Sequence, residues 1–196
     1  MMKISIPSLV LVIACTQVTG CARFLAAASG PEPVGVPEGE RTLSQRVEDM
    51  SIERTASINL YKLHPDFSRS RVVVMSFYGN VLLTGQVPSA SLKQMAGESV
   101  AGLREVGTVH NELNVSETPL PYMVRARDSI ISARVRTALT LAKGFPGSQS
   151  KITVENGVVF LMGKLTRKES DQAVTLISPI PDVRRIVKLV DYLPEG

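Results

Sequence analysis

Few residues of this 196-residue chain have side chains suited to catalysis or metal binding. The two cysteines, Cys15 and Cys21, both lie near the start, so the sequence after them has no thiol nucleophile, disulfide or thiolate metal site. The two histidines, His64 and His110, have no carboxylate or second histidine at ligand spacing. We interpret them as a solvated helix end and a strand position.

Catalytic motifs do not accompany these residues. The serines have no G-x-S-x-G context, no G-x-G-x-x-G or P-loop run occurs, and the carboxylates are scattered along predicted polar faces. Aromatic residues make up 5% of the chain and Trp is absent, which gives no indication of an aromatic-lined ligand pocket. We therefore expect a protein that is not an enzyme and that uses no cofactor or metal.

The positive charge is concentrated in the second half of the chain. Residues 44–117 contain seven Lys/Arg and eight Asp/Glu, a net charge of −1, whereas residues 120–196 contain twelve and seven, a net charge of +5. A basic surface close to an anionic leaflet gains about 1 kcal/mol per Lys or Arg. Charge alone therefore makes the second half the better candidate for contact with anionic lipid.

A predicted helix over residues 122–142 carries two apolar stripes, although an ordinary surface helix needs only one. One stripe faces the core and consists of Val124, Ile131, Val135, Ala138, Leu139 and Ala142. The other consists of Met123, Ile130 and Leu141, with Arg127 and Arg134 on nearly the same side. Apolar anchors beside snorkelling cations are typical of an interfacial helix, so we predict phospholipid binding here. Alternatively, Ile130 and Leu141 pack against the first half of the chain or the linker.

An internal repeat defines the elements that position this helix. Residues 76–87 (SFYGNVLLTGQV) align with residues 154–165 (VENGVVFLMGKL) at an offset of 78. Both halves contain a helix, two half-buried alternating strands joined by a glycine turn, a second helix and a last strand. The second helices are predicted near residues 89–102 and 167–178, and the last strands carry Val106, Val109, Leu113 and Val183, Ile186, Val190. The sequence predicts an α+β fold of two tandem αββαβ modules, each a three-stranded mixed sheet covered by two helices.

The hairpin sequence, the helix after it and a G-V-x-x-V strand resemble the BON domain. Residues 155–163 (ENGVVFLMG) are the part most similar to that family, and Pro179 and Pro181 depart from its usual glycine. The resemblance covers about residues 46–117 and 124–193. It implies a non-enzymatic protein that supports outer-membrane integrity, with the second module binding anionic phospholipid. Relatives can carry a large aromatic residue at the position of Ile130.

The N-terminus has the features of an export signal. Lys3 precedes an apolar segment, centred on residues 9–14, that is too short to span a bilayer. Residues 18–21 (VTGC) resemble the lipobox of bacterial lipoproteins, in which the cysteine is diacylated and becomes the new N-terminus. A cleavage site near residues 26–28, with a secreted product, and an uncleaved anchor remain alternatives. Ala22 after Cys21, by resemblance to enterobacterial sorting rules, implies transfer to the outer membrane.

These features predict a signal peptide at residues 1–20, a lipidated N-terminus with a Pro- and Gly-rich linker at 21–43, and modules at 44–117 and 120–196. The result resembles the dual-BON-domain outer-membrane lipoproteins associated with cell division and outer-membrane integrity. We expect a monomer held by Cys21 and facing the periplasm, where export leaves no nucleic-acid partner. The alternative is a periplasmic adaptor or chaperone-like module that binds envelope proteins through the same stripe.

Overall fold

The computed structural model describes residues 38–195. The predicted signal peptide, Cys21 and most of the predicted linker therefore lie outside the described residues. The first module contains α1 (Leu43–Leu63), β1 (Arg71–Phe77), β2 (Asn80–Val87), α2 (Ala90–Ala101) and β3 (Val109–Val115). The second contains α3 (Tyr122–Leu141), β4 (Ser150–Glu155), β5 (Val158–Leu165), α4 (Arg167–Ile177) and β6 (Arg185–Tyr192). Short 3₁₀ turns, Pro65–Ser68 and Gly147–Gln149, precede β1 and β4.

Both modules have the same sheet topology. β1 pairs antiparallel with β2, which pairs parallel with β3, and β4, β5 and β6 repeat this arrangement. The α2 and α4 helices provide the crossover that parallel neighbours require. The predicted α+β fold of two αββαβ modules with mixed three-stranded sheets is confirmed. Within residues 38–195, no helix is both long and apolar enough to cross a membrane.

Each module has its own apolar core between the two helices and one face of its sheet. The predicted helix faces are buried: Ile52, Ala56 and Leu60 in the first module, and Ile131, Val135 and Leu139 in the second. Capping boxes fix the starts of α1 and α4, because Thr42 pairs with Gln45 and Thr166 pairs with Glu169. Local signals and burial therefore agree on where these helices lie.

The hairpin turns have the conformation that the glycines predict. Gly79 and Gly157 have φ angles of 74° and 71°, and the residues before them, Tyr78 and Asn156, are also positive at 54° and 50°. Positive φ at both central residues defines the type I′ turn, which suits the twist of a two-stranded hairpin. Tyr78 is unusual here because bulky side chains rarely adopt this conformation.

The two sheets pack against each other through the faces that the helices leave open. Met75, Phe77 and Leu82 of the first sheet form a third buried cluster with Phe160 and Met162 of the second. Every residue from Val81 to Val87 in β2 is buried. The second module thus covers the face of β2 that a half-buried sheet would turn to solvent. We call this contact the sheet seam.

Polar groups join the modules at the rim of the sheet seam. The buried Glu155 carboxylate accepts a hydrogen bond of 2.8 Å from the Gln86 amide and lies 3.5 Å from the Arg71 guanidinium. Lys151 donates to Glu53 of α1, and Asn80 donates to Asp191 at 2.7 Å. The Gln86 hydrogen bond gives the buried Glu155 carboxylate a partner, whereas the Asn80 and Lys151 contacts lie closer to solvent.

The last strands begin later than the sequence pattern suggests. The pattern places Val106 and Val183 in these strands, but β3 begins at Val109 and β6 at Arg185. Both valines still pack against their cores, from the turns before the strands. An apolar residue that contacts the core looks the same in the sequence pattern whether it lies in a turn or in a strand. This explains why the predicted strands begin too early.

Candidate functional site

The α3 helix carries the residues that the sequence singles out for phospholipid binding. Ile131, Val135 and Leu139 hold it against the second core. On another side the exposed fractions are 72% for Met123, 54% for Ile130 and 77% for Leu141. Arg127 and Arg134 are exposed on nearly the same side. We call these five residues the α3 stripe.

The two arginines of the α3 stripe make no ion pair within residues 38–195. The apolar residues share a side of the helix with them, because steps of about 100° per residue bring positions 123, 127, 130, 134 and 141 within a narrow arc. The arrangement offers apolar side chains for the acyl region of a membrane and guanidinium groups for bidentate contact with phosphate.

The alternative that Ile130 and Leu141 pack against the first module is wrong, because the modules meet through the sheet seam and these side chains stay exposed. The α3 helix lies on the far side of the second sheet from the first module. The alternative that the linker covers them concerns mainly residues 21–37, which lie outside the described range.

Sequence reasoning missed Tyr122, which begins α3 and is 72% exposed. The guanidinium of Arg125 lies 5.9 Å from the centre of its ring, within the range of a cation–π contact. A tyrosine at the start of an amphipathic helix could have been noticed, because Tyr combines an apolar ring with a polar tip that suits a membrane interface. Tyr122 and Met123 together make the start of α3 its most apolar exposed end.

Sequence reasoning also missed two buried carboxylates, which are not on polar faces as expected. Asp128 of α3 accepts hydrogen bonds of 2.8 Å from the backbone N–H groups of both Asn156 and Gly157. Asp49 of α1 does the same for the first hairpin, accepting from the N–H groups of Tyr78 and Gly79 at 3.1 and 3.0 Å. One helix carboxylate per module thus holds one turn. The signal available in the sequence was the similar separation of carboxylate and turn, 29 residues from Asp49 to Tyr78 and 28 from Asp128 to Asn156.

Burial acts to raise the pKa of Asp49, but hydrogen bonds to its carboxylate outweigh burial and leave the pKa below its usual value. The Ser76 hydroxyl donates at 2.6 Å and Arg41 at 2.7 Å, in addition to the two turn N–H groups. These donors favour the charged form. Asp49 therefore has a structural role, since its carboxylate already accepts hydrogen bonds from these four donors.

Asp49 and Asp128 occupy equivalent positions in the two modules, so the sequences of α1 and α3 can be aligned on them, and we call this alignment their register. In that register Arg127, Ile130 and Arg134 correspond to Glu48, Ser51 and Thr55 of α1. The three α1 residues line a surface groove of about 310 Å³ beside Leu103 and Glu105. The first module has acidic and polar residues where the second has basic and apolar ones. The chain therefore contains its own comparison surface for the α3 stripe.

A sequence model described as the BON domain matches residues 56–117 and 127–194. The chain belongs to the BON-domain family and contains two copies of the domain, which confirms the family inferred from the hairpin sequence. Over 166 residues, 85% of this chain and 81% of the relative, it is 30% identical to the outer membrane lipoprotein DolP of Haemophilus influenzae. Over 157 residues, 80% of each protein, it is 28% identical to the 21 kDa hemolysin of Actinobacillus pleuropneumoniae.

Among solved structures, the C-terminal domain of CdsD, a structural protein of the type III secretion system of Chlamydia trachomatis, matches 71% of this chain and 96% of its own. The identity is 16% and the TM-score is 0.31. We base no conclusion on a likeness this distant.

Proposed function

We propose that this protein is a non-enzymatic outer-membrane lipoprotein that supports envelope integrity. Cys21 carries the acyl chains, the two modules face the periplasm, and the second module binds anionic phospholipid. The VTGC sequence at residues 18–21 and the similarity to an outer membrane lipoprotein of Haemophilus influenzae support the anchor. Several acyl chains are needed because a single chain binds membranes only marginally.

The observation that carries the lipid-binding proposal is the exposed α3 stripe. Its two arginines are available for phosphate, and its three apolar side chains are largely exposed. Two cations near the headgroups contribute about 2 kcal/mol by the membrane electrostatic rule, and this contribution decreases as salt screens it. Burial of the apolar side chains adds a contribution that does not depend on salt. Binding should therefore weaken as ionic strength rises, without vanishing.

The test is cosedimentation of residues 38–196, without the lipid anchor, with vesicles that contain phosphatidylglycerol and with neutral phosphatidylcholine vesicles. The test variant gives the α3 stripe the residues of its counterpart in α1: Arg127→Glu, Ile130→Ser and Arg134→Thr together. We expect salt-sensitive binding of the unchanged protein to the anionic vesicles and a loss of at least tenfold in the variant.

A matched control is Arg136→Glu, because Arg136 is exposed on the side of α3 opposite Arg127. Arg127→Glu alone makes the same change in net charge. Any difference in vesicle binding between the two variants therefore measures the effect of where the charge lies on the helix. Equal losses would reduce the effect to net charge and remove the stripe from the proposal. An absence of vesicle binding by the unchanged protein would favour the alternative, an adaptor that binds envelope proteins.

A further inference from the structure

The α1 helix of the first module has a second apolar side that no described residue covers. Leu43, Val47, Met50, Ile58 and Tyr61 are all between 44% and 78% exposed. They lie opposite the buried residues of the same helix, Asp49, Ile52, Ala56 and Leu60. A helix that is apolar on two sides is normally buried on both. We call the exposed side, including Arg54, the α1 stripe.

The spacing of the α1 stripe matches that of a helix that packs against another helix. Positions 43, 47, 50, 54 and 61 follow alternating steps of four and three residues, with Ser57 at the one intervening position. This is the a and d pattern of a coiled-coil seam. Ile58 lies beside Ser57 and widens the apolar surface.

The fold of the module does not require these residues. In the register set by Asp49 and Asp128, the counterparts of Val47, Met50 and Ile58 in α3 are Ala126, Ser129 and Thr137. The same helix in the same fold thus has small or polar residues at these three positions in the second module, although the counterpart of Leu43 is Tyr122. The apolar side chains of the α1 stripe are an additional property of the first module.

The charges on α1 restrict what can cover the stripe. The half of the helix centred on the α1 stripe carries Arg46, Arg54 and Lys62 and no carboxylate, since Glu48, Asp49 and Glu53 lie outside it. Arg46 pairs with Glu40, which precedes the helix. Arg54 lies in the middle of the stripe and, among the described residues, makes no ion pair. A second copy of this chain, packed helix to helix, would bring two Arg54 side chains together. An amphipathic helix with acidic residues beside its apolar stripe is complementary in both shape and charge.

The layer order separates the α1 stripe from the α3 stripe. The sheets lie back to back, so α1 and α3 are on opposite outer faces of the two-module unit. From the positions of buried and exposed residues at 100° per residue, the directions of the two stripes differ by at least about 90°. A flat membrane in contact with one stripe therefore does not lie against the other.

From these observations we infer that the α1 stripe is a docking site for an acidic amphipathic helix of another protein. The apolar side chains of that helix pack between Leu43, Val47, Met50 and Tyr61, and its carboxylates pair with Arg54 and its flanking cations. The site is separate from the α3 stripe and does not depend on the phospholipid proposal.

The experiment uses residues 38–196 and two fluorescent 21-residue helical peptides with leucine at the a and d positions. One peptide has glutamate at the e and g positions and the other has lysine. Fluorescence anisotropy measures both dissociation constants. We expect the glutamate peptide to bind at least tenfold more tightly than the lysine peptide, and Arg54→Glu to reverse this preference.

The test variant is Val47→Ala with Met50→Ser, which installs the residues of the α3 counterparts at exposed positions and should leave the fold intact. We expect at least a tenfold loss of affinity for the glutamate peptide, and no loss with the matched α3 variant Ile130→Ser. Equal binding of the two peptides would overturn the proposal. Concentration-dependent dimers in analytical ultracentrifugation, or loss of anionic vesicle binding by the α1 variant, would also overturn it, because the occupant would then be a second copy or a membrane.

Discussion

Replacing Phe160 with alanine tests whether the two modules form one folding unit. Phe160 is 3% exposed and lies in the sheet seam with Met75, Phe77, Leu82 and Met162, which come mostly from the other module. Truncation of a buried phenylalanine costs about 3–5 kcal/mol. Because whole domains are stable by only about 5–15 kcal/mol, this substitution removes a large share of the free energy of unfolding.

The assay is urea unfolding of residues 38–196, followed by circular dichroism. With a urea dependence of about 2 kcal/mol per molar, the midpoint should fall by roughly 1.5–2.5 M. The control is Val115→Ala on β3, because Val115 is half exposed and lies outside the seam; its effect should stay within about 0.5 kcal/mol. A loss below about 1 kcal/mol for Phe160→Ala would refute the packing of the two sheets against each other.

Two further predictions concern the hairpin turns. Because the pKa of Asp49 is lowered in the folded protein, its carboxylate stabilises the fold above pH 3.8, its ordinary pKa, and this stabilisation is lost as pH falls through the lowered value. Asp49→Asn should therefore lose less stability between pH 5 and pH 2 than the unchanged chain does, as measured by thermal unfolding; parallel curves would contradict the assignment. Gly157→Ala should cost more than about 1 kcal/mol, because φ is 71° and a Cβ would lie 2.9 Å from the Asp182 carbonyl oxygen. The control is Gly147→Ala, where a Cβ meets no atom within 4 Å; equal effects of the two substitutions in urea unfolding would count against backbone strain.

The sequence was sufficient for features that repeat locally. The helix faces at Ile52 and Ile131 and the turns at Gly79 and Gly157 follow from periodicity and backbone sterics, so each could be predicted from a few neighbouring residues. The exposed side of α3 could be predicted for the same reason. Its role as a binding site remains a prediction.

Features that depend on contacts between distant residues could not be predicted. Phe77 and Phe160 are on strand faces that alternation assigns to solvent, and only the partner sheet makes those faces part of a core. Asp128 looks like an ordinary helix-surface carboxylate until Asn156 and Gly157 are placed beside it. The exposed apolar side of α1 could not be predicted from periodicity. Because α1 is apolar on two opposite sides, the amphipathic signal of one side nearly cancels that of the other.

The residues that lead into α1 are held by both modules, which affects how mechanical tension on the chain first reaches them. Gln149 of the second module donates a 2.9 Å hydrogen bond to the carbonyl of Glu38, while Tyr78 of the first donates one of the same length to the carbonyl of Glu40. Arg41 then pairs with Asp49. A weak pull on the chain before Glu38 is thus shared between the two modules until these hydrogen bonds break, after which the chain transmits it to α1.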